Sequence, residues 1–377
     1  MRARRAARAP ASVAVIGGGP AGTAAAVAAR AHGLEVELLH FVRPPARAGE
    51  SLPPGCEPLL DELFGEGAVS PEAHRSAYGN EAAWGRDDLA SVDFLFSPFG
   101  RGWHVDRAAL DRGLLARAEA AGVTVHRGAR LSQATWGAEG WEVRAAVSDG
   151  AVRRSPAVVL IDATGRAARV ARSQGARRRR LDRLVAACWE LQAEREDPDT
   201  STTVEAAPEG WWYTHAVPGR RRMIGFLTDA DLLSHRGARG PHDGRWEPAP
   251  PPRVRDALER GGYRAKGPAR ICDASTSYLD PLTGPGWIAA GDAAVSFDPL
   301  SSQGMITALL MGREAGRAAA AACLAGDVEP LSRYAEGYAA LLHEHLIHQA
   351  AHYDAEPRWP TSPFWSRRGR RPSLLHG

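Results

Sequence analysis

Lysine is nearly missing from this chain. Of its 47 basic residues one is a lysine, Lys266, so no reaction that needs an ammonium group earlier in the sequence is open to it. Cysteine is scarce as well. Cys56, Cys188, Cys272 and Cys323 lie far apart with no CxxC pair, which excludes a zinc knuckle and a disulfide framework. They read as buried thiols of a reducing compartment. No run of 18 apolar residues occurs, so no membrane span is expected. The basic N-terminus leads into SVAVIGGGPAG, too short and too glycine-rich for a signal peptide, and the expected location is cytoplasmic. A strong charge of one sign is also lacking, at +3 overall. The arginine runs at 1–8, 177–180 and 367–371 are offset by 44 acidic residues and accompany no nucleic-acid motif. They read as solvated loops or tails, and no nucleic-acid partner is expected. HEHLIHQAAH (343–352) sets His345, His348 and His352 along one helical face. Position 347 is isoleucine, so H-E-x-x-H is not completed and no metal is expected. No Ser–His–Asp or Cys–His grouping can be identified.

With 377 residues, 44% of them hydrophobic, the chain can bury one large core or two smaller ones. SVAVI (12–16) reads as a buried strand, followed by GGGPAG (17–22) and an alanine-rich helix closed by Gly33. LEVELLH (34–40) reads as the next strand. This is the strand–glycines–helix–strand context of a dinucleotide fingerprint. Gly17 permits the tight turn, Gly19 lets backbone approach a pyrophosphate, and Gly22 lets helix and strand pack closely. Pro20 and Ala21 open the helix, whose free N–H groups face the phosphates. The fingerprint expects an acid at the end of the second strand. His40 stands there, with Glu37 too early and Arg43 just beyond. A neutral imidazole accepts one hydrogen bond but loses the charge-assisted one.

Other stretches organise the remainder. RAGESLPPGCEPLLDELFG (47–65) reads as a loop then a helix. Asp106 is an N-cap candidate for a helix from 107, followed by a strand. Residues 140–165 read as a hairpin around Ser148–Gly150 and a buried strand ending in DATG. Residues 180–230 alternate as antiparallel strands with a turn at Pro218–Gly219. Residues 236–254 read as an exposed loop. Alternation in WWY sets Trp212 opposite Trp211 and Tyr213. One parity is core and the other sees substrate, with Trp212 as the candidate. GWIAAGDAAVSFDPLSSQG (286–304) is an apolar strand ending in Gly291–Asp292, a polar loop, then a helix.

The ordered set GGGPAG, DATGR (162–166) and GD…DPLSSQG resembles the FAD-dependent monooxygenase and flavin-halogenase superfamily, with a p-hydroxybenzoate-hydroxylase-like fold, over roughly residues 12 to 340. GES (49–51) and DRAALD (106–111) add to the likeness. Within it, GESLPP, RGWHVDRAALD, GWWYTHAVPGRRRMIGFLTDADL, FDPLSSQG and YDAEPRWPTSPFWSRR are similar to the LodB/GoxB-like flavoproteins that mature tryptophylquinone oxidases.

The resemblance implies an α/β fold: a Rossmann-like, discontinuous FAD-binding domain with an inserted antiparallel β-sheet substrate domain. The expected segments are FAD-binding parts at 11–80, 101–175 and 276–340, substrate-sheet segments at 81–100 and 176–275, and a C-terminal helix and tail at 341–377. It implies non-covalent FAD, contacted by Glu50, Ser51, Arg107, Gly291 and Asp292. Pro299 would lie along the flavin ring, and Ser302, Gln303, Gly304 and Met305 would direct N–H groups at its pyrimidine edge. A helix N-terminus there stabilises the negative charge of reduced flavin. The implied activity is hydroxylation of an aromatic ring with molecular oxygen, the ring being a tryptophan in a partner oxidase precursor. Electrons would come from NAD(P)H or a separate flavin reductase, since no second GxGxxG is present. A small-molecule hydroxylase, a non-oxygenating flavin reductase and a non-catalytic flavin-binding partner are the alternatives. A halogenase is disfavoured by the missing lysine and the missing W-x-W-x-I-P signature.

Overall fold

The computed structural model describes residues 12–41, 49–147, 152–236, 239–242, 245–326 and 329–369. The first half runs β1 (Ser12–Ile16), α1 (Pro20–Ala31), β2 (Glu35–His40), β3 (Gly49–Leu52), α2 (Cys56–Phe64), β4 (Arg75–Ala77), β5 (Gly79–Ala83) and β6 (Ala90–Asp93). It continues with β7 (Gly102–Asp106), α3 (Arg107–Ala120), β8 (Thr124–Arg127), β9 (Arg130–Gly137), β10 (Gly140–Ala146), β11 (Val152–Ala157) and β12 (Val159–Asp162). The second half holds α4 (Arg169–Ser173), β13 (Arg177–Arg180), β14 (Leu184–Gln192), β15 (Ser201–Ala207), β16 (Gly210–Val217) and β17 (Arg221–Asp229). It also holds α5 (Ala230–Arg236), α6 (Pro252–Gly261), α7 (Gly304–Ala325) and α8 (Glu329–Asp354), and a short helix, Pro363–Ser366, follows.

Two sheets organise the molecule. β1 lies between β2 and β12, all parallel, with β8 beyond β2 and the strand Trp287–Ala289 beyond β12. Its central strands are continuous apolar runs because both faces are covered, by α1 and α7 and by the antiparallel sheet β9–β10–β11. The second sheet runs β14–β17–β16–β15–β5–β6, antiparallel except where β15 and β5 pair in parallel. One face of it is buried under α6. Trp212 stacks on Trp189 and packs against Phe226 there, with Val254 and Leu258 of α6.

Small residues bring α7 onto α1. A Cβ on Gly312 would come within 2.3 Å of the Ala21 carbonyl oxygen, and one on Gly316 within 2.3 Å of that of Ala25. The matching order, 312 to 21 and 316 to 25, makes the helices run in the same direction. Gly312 lies eight residues into α7. At 1.5 Å per residue, the N-terminus of α7 therefore projects about 12 Å beyond the first turn of α1. α8 then crosses back. The Tyr334 hydroxyl donates to the Ala289 carbonyl at 2.7 Å, and the Gly291 N–H donates to the Tyr338 hydroxyl at 2.8 Å.

Several local expectations change. GES is a strand, not a loop, because Gly49–Leu52 pairs antiparallel with β7. The stretch 236–254 is not a plain loop: Arg239–His242 pairs with Arg245–Glu247, and α6 starts at Pro252. The turn expected at Ser148–Gly150 lies outside the described residues, though β10 and β11 on either side of it do pair. The buried face of α8 carries His345, Gln349 and Tyr353, while His348 and His352 are exposed. The three histidines are thus divided between the buried and exposed sides of that helix, and among the described residues no cluster of three His, Cys, Asp or Glu is placed to hold a metal.

Candidate active site

The glycine loop has the division of labour that the sequence suggests. A Cβ on Gly17 (φ +114°) would come within 2.2 Å of the Ala163 carbonyl oxygen, and one on Gly22 within 1.8 Å of that of Gly17. These two glycines let β1, α1 and the DATG turn pack together. A Cβ on Gly19 would meet nothing within 4 Å, so the space in front of α1 is clear. Gly19 caps α1 without a side-chain hydrogen bond, and no acid stands in the first turn. α7 begins the same way, with Gln303 as an N-cap that makes no side-chain bond and no acid following. Its entry residue Ser302 is held at φ +52°, and Pro299, Ser302, Gln303 and Gly304 are exposed while Met305 is buried. The chain thus presents two uncapped, acid-free helix N-termini offset by about 12 Å along the helix direction, each attractive to an anion. A dinucleotide with a pyrophosphate at one and an anionic ring edge at the other fits this cradle.

The second-strand position is resolved by its neighbours. A Cβ on Gly18 would come within 2.5 Å of His40 Nδ1, so the His40 ring lies against the glycine loop. Burial lowers the pKa of His40, opposed by Asp111 and reinforced by Arg127, which keeps the ring neutral at neutral pH. Glu37 is engaged elsewhere, accepting from the Ser155 hydroxyl at 2.6 Å and facing His126 at 2.9 Å. Arg107 is buried and ion-paired with both Glu50 and Asp111. Burial opposes its charge, but the two carboxylates raise its pKa above the ordinary value. Asp111, four residues on from Arg107 and close enough to act on His40, is thus the acid beside the loop. Sequence reading missed it because it comes from α3 rather than from the end of β2. Arg43 lies outside the described residues.

The late loop is pinned from behind. Gly291 (φ +58°) abuts Ala21, where a Cβ would approach to 2.6 Å, so Gly291–Asp292 sits against the first turn of α1. Arg178 donates to the carbonyls of Asp292 and Ala293 at 2.9 and 2.8 Å. Burial, with Arg166 nearby, pulls its pKa down to about 10. Asp298 is buried and accepts from the Tyr353 hydroxyl at 2.6 Å, Gln349 Nε2 at 3.0 Å and the Leu300 N–H at 2.9 Å. Tyr353 in turn accepts from Trp211 Nε1 at 3.2 Å, tying the loop to the antiparallel sheet. A cavity of about 480 Å³ opens at the junction of β13 and β14, lined by Arg180, Asp182, Arg183, Ala230, Asp273 and Ser275. Arg166 of DATGR borders it, donating to the Ser275 carbonyl at 2.6 Å.

The strand registers define the face that looks onto this loop. Ala90, Ala82, Val204, Tyr213, Gly225 and Cys188 are successive cross-strand partners, so they form one row on one face. Thr202, on the same face, lies 3.2 Å from the Ser51 hydroxyl and 3.0 Å from His104 Nε2, so the row faces β3 and β7. Tyr213 is half-buried, and its ring covers Gly225, whose Cβ would fall 2.2 Å from it. Its hydroxyl is 3.6 Å from Cys188 Sγ. Burial, then Cys188, drives the Tyr213 pKa well above its ordinary value, and the phenol stays neutral. His215 is buried between Tyr213 and His104, with neither ring nitrogen hydrogen-bonded and a pKa pulled down to about 3 by burial and Arg222. Trp212, the sequence candidate, occupies the opposite face inside the α6 core. The parity argument separates the two sets: Trp211, Tyr213 and His215 share the face opposite α6, and of these Tyr213 is the partly accessible one. Lys266 sits at the sheet margin, half exposed and 3.4 Å from Glu190.

Known proteins share this fold. The family model described as FAD binding domain matches residues 10–336. An FAD-dependent oxidoreductase, LodB, of Marinomonas mediterranea is 27% identical over 378 residues, covering 96% of this chain and 98% of that protein. The structure of CmlS, a flavin-dependent halogenase, superposes with a TM-score of 0.81 at 22% identity, over 97% of this chain and 68% of the other. That of QhpG, a peptidyl tryptophan dihydroxylase essential for tryptophylquinone cofactor biogenesis, gives 0.75 at 22%, over 97% and 80%.

Proposed function

The chain belongs to the FAD binding domain family, and from that premise we propose that it is a monooxygenase that hydroxylates an aromatic ring presented by a polypeptide, a tryptophan of a partner oxidase precursor. Enzyme class and cofactor follow from the family: it is an FAD-dependent oxidoreductase. The observation that carries the substrate reading is the row from Tyr213 to Ala90. It is apolar, contains no lysine, and stays partly accessible out to the sheet edge at β6. A small-molecule hydroxylase closes over its ligand, whereas a polypeptide loop needs an open approach. LodB and QhpG, which resemble the chain along nearly its whole length, support the same reading.

When bound, FAD reduced by NAD(P)H or by a separate reductase would supply an electrophilic oxygen derived from molecular oxygen. The chain's own residues hold and orient. Gly17, Gly19, Pro20, Ala21 and Gly22 would receive the pyrophosphate, with Gly291 and Asp292 beside it, His40 and Asp111 on the ribose side, and Arg107 bridging Asp111 to Glu50. Ser51 and Pro299 would lie along the ring, and Ser302–Met305 would set the N–H groups of α7 at its polar edge. Tyr213, neutral and flat over Gly225, is the surface against which the substrate ring stacks. A halogenase reading draws on the likeness to CmlS. It lacks a lysine on the row, the chain's single lysine being paired with Glu190 at the margin.

The test is co-expression with an oxidase precursor encoded nearby, followed by peptide mapping. One or two added oxygens on a single tryptophan, absent with Asp292→Ala, support the proposal. An untouched precursor alongside efficient turnover of a free indole or phenol overturns it.

A further inference from the structure

Among the described residues, six exposed large apolar side chains fall between positions 78 and 99: Tyr78, Leu89, Val92, Leu95, Phe96 and Phe99. Val92 is 63% exposed, Leu95 79%, Phe96 85% and Phe99 58%. Exposed large apolar side chains gathered along one short stretch mark a candidate site of contact. This one surrounds β6, the last strand of the antiparallel sheet, whose outer edge presents backbone N–H and C=O groups that can pair with another chain.

The two faces at this edge differ in chemistry. Val92 is the cross-strand partner of Asn80, which pairs with Thr202, so it lies on the face that looks onto β3. Ser91 and Asp93 pair with Glu81 and Gly79 on the opposite face. Glu81, Asp88 and Asp93 thus gather acid around the edge in a chain of net charge +3. The opposite edge of the same sheet carries Arg264, Lys266 and Arg270. The patch is also continuous with the candidate active site. A Cβ on Gly55 would lie 4.0 Å from the Phe99 ring and 3.3 Å from Ile306, in the first turn of α7.

From this juxtaposition we propose that the outer edge of β6 is the docking site for an extended segment of a polypeptide partner, which adds a strand there. Successive side chains of an added strand point to opposite faces. One set, basic, meets Glu81 and Asp93. The other, apolar or aromatic, covers Val92, Leu95 and Phe96 and leads along the row toward Tyr213. Main-chain pairing supplies affinity and the alternating side chains supply selectivity. That the docked segment belongs to the substrate rests on the polypeptide reading above; the docking itself rests on the β6 edge.

The experiment uses the full-length FAD-loaded protein and a fluorescein-labelled octapeptide of alternating arginine and phenylalanine. An aspartate–phenylalanine octapeptide is the counter-probe. Anisotropy reads affinity and amide hydrogen exchange reads location. The cationic peptide is expected to bind at least tenfold tighter than the acidic one and to slow exchange at residues 90–93. The double variant Leu95→Ser/Phe96→Ser, at two exposed positions, is expected to lose at least tenfold in affinity with unchanged FAD content and melting temperature. Equal affinity for the two peptides, protection at 264–273 instead of 90–93, or unaltered binding by the variant overturns the proposal. So does a dimer that the double variant dissociates, or phosphatidylcholine vesicles that bind the native protein and not the variant. The probe contains no tryptophan, so loss of docking and loss of hydroxylation are read separately.

Discussion

Gly19→Val separates a glycine needed by the fold from one needed by the ligand. Gly19 sits at φ −85° and ψ −176°, an extended conformation open to any residue, and a Cβ there meets no protein atom within 4 Å. The folded chain therefore tolerates valine, at the cost of about 1 kcal/mol for a poorer N-cap, a shift of a few degrees in melting temperature. The branched side chain does fill the space before the uncapped N–H groups of α1. Losing two charge-assisted hydrogen bonds to a pyrophosphate, each worth about 1.5–3 kcal/mol, removes about 3–6 kcal/mol of binding. That corresponds to a factor of about 10² to 10⁴ in the dissociation constant. Gly22→Ala is the contrast: its Cβ falls 1.8 Å from the Gly17 carbonyl oxygen, so the loop itself must deform. The assay is calorimetric titration of apoprotein with FAD, alongside thermal unfolding without FAD. The reasoning is refuted if Gly19→Val keeps native affinity, or if it melts as low as Gly22→Ala.

Four further outcomes are expected. His40→Glu should retain FAD in the same titration; a loss beyond tenfold would assign His40 a role that Asp111 does not share. Gly225→Ala forces the Tyr213 ring off its seat, so kcat/KM should fall at least tenfold at full FAD occupancy, and unchanged kinetics would remove Tyr213 from the site. His215, with its pKa depressed to about 3 in the fold, binds its proton more readily when unfolded. Stability should therefore fall as pH drops from about 6.5 toward 3, by about 2 kcal/mol at pH 5, and His215→Gln should flatten that slope in urea titrations. Chloride or bromide with reduced FAD and free tryptophan should give no halogenated product by mass spectrometry, and robust halotryptophan would reverse the ranking of the two chemistries.

The glycine loop and the Gly291–Asp292 turn are legible in sequence because their constraints are local. Gly17 and Gly22 are fixed by backbone atoms that a Cβ would strike, and that requirement leaves a fixed spacing. Trp212 shows where local reading stops. Alternation separates it from Tyr213, but which parity faces β3 depends on α6 covering one side of the sheet and on Thr202 meeting Ser51 across 151 positions. Asp298 is visible only as part of a motif; its partners Gln349 and Tyr353 lie 51 and 55 residues on, in a helix with no motif that links them to it. Asp111, the acid we propose for the ribose side, is not legible beside β2 in sequence because it comes from α3, which the fold brings close to His40.

The central claim is that this flavoprotein inserts oxygen into an aromatic side chain of another polypeptide. The most direct measurement is the intact mass and peptide map of the partner precursor after reaction with the FAD-loaded, reduced protein under isotopically labelled oxygen gas. The account predicts labelled oxygen on one tryptophan of the precursor, with none gained from labelled water. An unmodified precursor, or oxygen derived from water, would contradict it.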